Sequence, residues 1–259
     1  MDCSARQFFF MMKSARSLSI LFAFACLFSC TDQPGSEKQQ APPSAGEVLQ
    51  RSIQFHDPQD KWPGAALHFV IDEPRIQNPE RLSEVFLNNT EATFAINRRY
   101  GNTLVTRGII RDSCYSLVDS VLVSPEDTAT IRLHRLECER TQGYRNFYRL
   151  LNGMPMSLHV PEVQLLPETG QDTFGGKPAL RITARFNDPV IGEEWAVYFD
   201  PDNYQLLGYG YAAEGAGEYI RLDGLAEAGG MKLPRMRHWY NRMDNSYLGS
   251  DIYVIIEEL

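Results

Sequence analysis

The sequence predicts an α+β domain: a mainly antiparallel, strongly curved sheet of about 8–11 strands, with an N-terminal helix and one mid-chain helix. Three observations predict it. Apolar and polar residues alternate with period two in runs from Ala66 to Ile256, the mark of half-buried strands. Turn residues (Gly, Pro, Asn, Asp) punctuate these runs at short intervals. Helical spacing occurs twice, once near residue 50 and once near residue 148.

Ser44 is placed to cap a helix starting near Gly46, with Val48, Leu49, Ser52, Ile53 and His56 on one face. His56-Asp57-Pro58 ends it, because the residue before proline avoids the α region. Leu67, Phe69 and Ile71 then share one side of a strand, opposite Ala66, His68 and Val70. Weaker alternation fits strands at 92–97 and 103–110. Ser113 to Val123 and Ala129 to Glu137 read as two strands around the turn Ser124-Pro125-Glu126-Asp127-Thr128. A hairpin centred on Glu126 sets Cys114 directly opposite Cys138, within reach of a disulfide.

Tyr144, Phe147, Tyr148 and Leu151 come next at i, i+3, i+4 and i+7, which predicts the second helix, with Gly153 as its C-terminal cap. Met154-Pro155-Met156 succeeds it. Leu180, Ile182, Ala184 and Phe186 alternate with Arg181, Thr183 and Arg185 as a strand with one solvated face. Trp195, Val197 and Phe199 pair through Asp200-Pro201-Asp202-Asn203 with Leu207, Tyr209 and Tyr211. Strands at 218–223 and 231–239 precede a last one carrying Ile252, Val254 and Ile256.

The N-terminus predicts export. Lys13 and Arg16 precede an apolar run of about a dozen residues, Leu18 to Phe28, well short of the roughly 20 that span a bilayer. Leu27-Phe28-Ser29-Cys30 resembles the lipobox of bacterial lipoproteins, which implies diacylglycerol on Cys30; the alternative is an ordinary signal peptide with an incidental cysteine. Thr31 rather than Asp after Cys30 gives no inner-membrane retention signal by resemblance to known sorting rules, so the outer membrane is expected. The chain then divides into a signal peptide (1–29), the lipidated Cys30 with a proline-containing tether (30–45), and a single β-rich domain (46–259).

Charge and cysteines narrow the function classes. The formal net charge is −8, and removing the cationic first 29 residues makes the remainder more acidic. An acidic domain repels phosphates, so nucleic acid is not an expected partner and membrane contact falls to the lipid on Cys30. Once Cys3 and Cys26 leave with the signal and Cys30 is acylated, Cys114 and Cys138 remain. In an oxidising compartment they form a disulfide, closing a loop worth roughly 3–4 kcal/mol; two buried thiols are the alternative.

Catalytic motifs are missing. His56, His68, His134, His159 and His238 form no His-Glu-x-x-His or His-x-His pair, and no Gly-x-Ser-x-Gly elbow occurs. Gly170 to Lys177 misses the phosphate-loop pattern and reads as a turn. No metal, cofactor or enzymatic activity is expected. Tyr144, Phe147, Tyr148, Leu151, Met154 and Met156 are the candidates for an apolar ligand cavity beneath the sheet, since methionine adapts to irregular ligands. The alternative for the same six is plain core packing.

Phe55-His56-Asp57-Pro58 with Trp62, Phe147-Tyr148 with Gly153-Met154-Pro155-Met156, and Glu194-Trp195-Ala196-Val197-Tyr198-Phe199-Asp200-Pro201 resemble a family of exported Gram-negative lipoproteins carrying a domain of unknown function. The layout also resembles the half-barrel of the lipoprotein-localisation (Lol) carriers and receptors. That architecture implies a sheet curled around helices with an apolar cavity for acyl chains. The leading expectation is therefore a lipid-anchored envelope protein binding an apolar or amphiphilic ligand in lipid or lipoprotein handling. A scaffold acting through a protein or glycan surface comes second, and a hydrolase with a site assembled from distant strands third.

Overall fold

The computed structural model describes residues 42–77, 80–187, 194–212 and 217–259. The expected signal peptide, Cys30 and the tether up to Ala41 lie outside the described residues. Pro42–Leu259 forms one compact unit holding every described element and both apolar cores, and so is self-contained.

Helix α1 (Ala45–His56) begins where the sequence places it. Ser44 closes a capping box: its side chain accepts from the Glu47 amide while Glu47 reaches back to the Ser44 amide at 2.7 Å. Ala45 is already helical and buried, so the tether ends one residue earlier than predicted. Asp57 terminates the helix and organises the adjoining turn, accepting the amides of Lys61 and Trp62 at 2.9 and 2.8 Å to fix a 3-10 turn at Trp62–Gly64.

Fourteen antiparallel strands succeed it among the described residues, more than the 8–11 expected. They are β1 (Ala66–Asp72), β2 (Leu82–Asn88), β3 (Thr93–Tyr100), β4 (Thr103–Ile110), β5 (Ser113–Val118), β6 (Val121–Leu122), β7 (Val163–Leu165), β8 (Gly170–Phe174), β9 (Lys177–Phe186), β10 (Glu194–Phe199), β11 (Leu206–Tyr211), β12 (Glu218–Ala228), β13 (Met231–Asn241) and β14 (Tyr247–Glu258). The extra strands are the short β6 and β7, too brief to show periodicity, together with β8 and β2, of which β2 alternates and was overlooked in the sequence. The Gly170–Lys177 segment is mostly strand; only Gly175 and Gly176, both at positive φ, make the turn.

The strand order is β6-β5-β4-β3-β2-β1-β14-β13-β12-β11-β10-β9-β7, with β8 also on β9. Two meanders thus meet where β1 pairs with β14, and the curved sheet stays open at β6 and β7. Alternation sets which face is covered: Leu67, Phe69 and Ile71 point inward from β1, and Leu180, Ile182, Ala184 and Phe186 from β9.

The hairpin expected at 113–137 is corrected. Asp119 and Ser120, both at positive φ, turn the chain after β5, and the second half is helix α2 (Thr128–His134) rather than a strand. Asp127 accepts the Thr130 amide at 3.0 Å, and this cap outcompetes the alternation of the segment. Cys114 and Cys138 are disulfide-bonded with Cα atoms 5.6 Å apart, but the bond ties β5 to the first residue of helix α3 (Cys138–Gly153). Helix α3 is longer than predicted, and Gly153 is its last helical residue, with Met154 as the cap.

The inner face is covered by α1 and α3. One apolar cluster joins Val48 and Leu49 of α1, Leu150 and Leu151 of α3 and the inner side chains of β9–β12. The other joins Trp62, Tyr148 and Met156 to β1–β4 and to Met231 and Leu233. Each fully buried large side chain contributes about 1.5–3 kcal/mol. Helix α3 contributes to both clusters, a wedge between the two halves of the sheet.

Candidate ligand-binding clefts along helix α3

A cleft lies on each flank of α3. The larger, about 510 Å³, runs between α3 and the segment leading into β7; its apolar walls are Trp62, Leu150, Val160, Val163 and Phe186, and Asn146, Arg149, Glu162 and Asn187 bring polar groups to it. The smaller, about 230 Å³, lies where α3 faces β13 and β14. Phe147, Leu151, Trp239, Leu248 and Tyr253 supply its apolar surface, and Glu73, Arg75, Arg81, Glu218 and Asp251 its charge.

The six predicted cavity residues divide. Phe147, Tyr148 and Leu151 line the smaller cleft. Tyr144 and Phe147 also border an open surface groove with Glu137, Glu139 and Arg140. Met154 (0 % exposed) and Met156 (5 %) are packed into the two cores and line none of these clefts, which corrects their assignment. Both lie past the end of α3, Met154 as its cap and Met156 in the 3-10 turn Met156–Leu158, where the chain enters the core. The Met154–Pro155 peptide is cis, and Ser157 Oγ donates to the Leu150 carbonyl at 2.8 Å, folding the chain back against α3.

A buried ionic network supports the smaller cleft. Glu73 receives Arg81 Nε at 2.9 Å and an Arg98 terminal nitrogen at 3.0 Å, and Ser83 Oγ also donates to it. Tyr148 Oη donates to Glu73 at 3.0 Å and accepts from Arg98 at 2.7 Å. Burial pushes the Glu73 carboxyl up, but Arg98 and Arg81 outweigh it and hold it below the usual range. Burial and the Glu73 charge push the Tyr148 phenol up, so it stays a protonated donor. Asp251 is engaged by Arg75 at 2.5 Å and by Trp239 Nε1 at 2.9 Å. Burial pushes Glu218 up as well, against the pull of Arg75.

Sequence reasoning missed this network. Its signal was present: Arg98 sits two residues from Ile96, on the buried phase of β3. A charged residue on the inward phase of an alternation calls for a buried partner.

His56, in contrast, is structural. Its Nδ1–H donates to the Lys232 carbonyl at 2.6 Å and its Nε2 accepts the Leu206 amide at 3.0 Å, pinning α1 to β13 and β11. Burial lowers its pKa to about 4 and keeps it neutral. On the outer face His68 lies between Glu84 and Glu257, and His238 pairs with Ser250.

The half-barrel architecture has a solved counterpart. A LolA superfamily protein from Nitrosomonas europaea superposes with a TM-score of 0.50 at 10% identity, over 83% of this chain and 93% of that one. A DUF1329 family protein from Desulfovibrio piger gives 0.49 at 10% identity, over 82% and 91%. At 10% identity the likeness to the Nitrosomonas protein concerns the fold alone. Among proteins of curated function, none matches the sequence. Residues 17–257 match the family of unknown function DUF6503, and the chain belongs to that family.

Proposed function

We propose that this protein is an exported lipoprotein, held at the cell envelope by lipid on Cys30, whose half-barrel binds an apolar or amphiphilic ligand beside α3. The observation that carries the reading is the pair of clefts flanking one helix. The larger, about 510 Å³, falls within the roughly 300–1,000 Å³ of small-molecule sites, and its apolar walls with a few polar groups have the composition such sites share. An acyl chain has no need of a catalytic group, which agrees with the missing motifs. Leu27-Phe28-Ser29-Cys30 supplies the anchor, and 14 residues from Cys30 to Pro43 reach the first helix at Ser44.

Two measurements test the proposal. Labelled palmitate enters the wild-type protein and not Cys30→Ala; equal labelling removes the anchor. Fatty acids displace an environment-sensitive fluorophore from Pro42–Leu259; a fluorophore that never binds removes the ligand.

A second reading, a scaffold working through its surface, draws on the outer face of β8 and β10–β14. There Phe174 stacks on Tyr198 at 4.2 Å, Tyr219 on Tyr240 at 5.2 Å, and Tyr247 meets Tyr240 edge-on. Most of these ring faces are taken by one another, which leaves the clefts as the stronger site.

A further inference from the structure

The larger cleft carries one charge of each sign, on its two facing walls. On the α3 wall Asn146, Arg149 and Leu150 come at i, i+3 and i+4 and share one flank of the helix. Leu150 is buried and Arg149 is exposed, so the apolar side chain lies deep and the guanidinium at the rim. On the facing wall Val160-Pro161-Glu162-Val163 is a turn, closed by the Val163 amide donating to the Val160 carbonyl at 3.1 Å. Proline is favoured at the second position of such a turn. Val160 and Val163 give the cleft their apolar side chains, and Glu162 between them is exposed and brings its carboxylate.

Arg149 and Glu162 are the only charged residues among those lining this cleft. Neither is ion-paired or hydrogen-bonded through its side chain, to the other or to any described residue. The smaller cleft differs, because Arg81 and Arg75 there already hold Glu73 and Asp251. At the larger cleft two opposite charges border a common space without bridging it. A singly charged head group entering that space meets one attraction and one repulsion, and a neutral head meets neither. A head bearing both charges sets each beside its opposite.

We propose that the larger cleft selects amphiphiles with a zwitterionic head, the anionic group received by Arg149 and the cationic group by Glu162. Trp62, Leu150, Val163 and Phe186 take the apolar body. This rests on the reading of the α3 clefts as ligand sites and adds a class of head group to it.

Calorimetric titration of Pro42–Leu259 with four ten-carbon probes, each below its micelle concentration, tests this: decylphosphocholine (zwitterionic), decanoate (anionic), decyltrimethylammonium (cationic) and decyl maltoside (neutral). Decylphosphocholine binds about threefold or more tighter than each of the others, a modest factor because exposed ionic contacts are individually weak. Arg149→Gln abolishes its advantage over the cation and keeps that over decanoate. Glu162→Gln abolishes its advantage over decanoate and keeps that over the cation. Both side chains are exposed and unpaired, so neither change touches the core. Equal binding of all four probes, or tightest binding of any other probe, overturns the zwitterion assignment and leaves the amphiphile reading standing. If none of the four binds, the ligand reading of this cleft falls as well. A zwitterion preference unchanged in both variants overturns the assignment to Arg149 and Glu162.

Discussion

The six-membered ring of Trp62 occupies the space where a side chain on Gly153 would begin, so a Cβ there would overlap the indole. The contact joins the 3-10 turn after α1 to the last residue of α3, and Trp62 is also a wall of the larger cleft. Glycine is required at 153 for this close approach.

Gly153→Ala therefore strains the junction and destabilises the domain by about 1–3 kcal/mol, as overpacking does. Urea denaturation of the single variants and of Gly153→Ala combined with Trp62→Leu measures it. The double variant loses less than the sum of the two singles, because removing the indole relieves the overlap. Strict additivity would mean that the two residues do not press on each other.

Much of this architecture was legible in the sequence, and the exceptions share a cause. Alternation located the inner residues of β1, β9 and β10, and capping chemistry at Ser44 located α1; on β11 it found Tyr209, but a register shift opposite Tyr198 and Phe199 buries Leu206 in place of Leu207, and Tyr211 is exposed. The segment 128–137 misled because Ile131, Leu133 and Leu136 fit a strand about as well as a helix. One carboxylate, Asp127, decides for helix. The near wall of the smaller cleft, Phe147, Tyr148 and Leu151, was readable from helical spacing. The far wall was not: Glu73, Trp239 and Asp251 reach it only because β1 closes on β14, a pairing between chain ends that no local pattern announces.

Acid should loosen the fold through His56. Its folded pKa, about 4, lies below the unfolded value near 6.5, so its contribution is complete above 6.5 and is lost as pH falls toward 4. The gap corresponds to about 3 kcal/mol at most. Unfolding free energies measured across that window, wild type minus His56→Asn, reveal the loss. A flat difference would show that His56 is not buried neutral.

Glu73 and Tyr148 contribute unequally to the network around Arg98. Glu73→Gln leaves Arg98 buried without its counter-charge and costs about 3–5 kcal/mol. Tyr148→Phe removes two hydrogen bonds, the one donated to Glu73 and the one accepted from Arg98, while Glu73 and Ser83 still hold Arg98, and costs about 1–3 kcal/mol. Equal losses, or the reverse order, would contradict the pairing described.

Native mass spectrometry of Pro42–Leu259, purified from cells without added lipid and then titrated with fatty acid, interrogates the clefts themselves. A small amphiphile retained through purification, or a fatty-acid adduct that saturates on titration, is the expected result. A spectrum of bare protein throughout, with no adduct at any fatty-acid concentration, would mean that the flanks of α3 hold no such ligand.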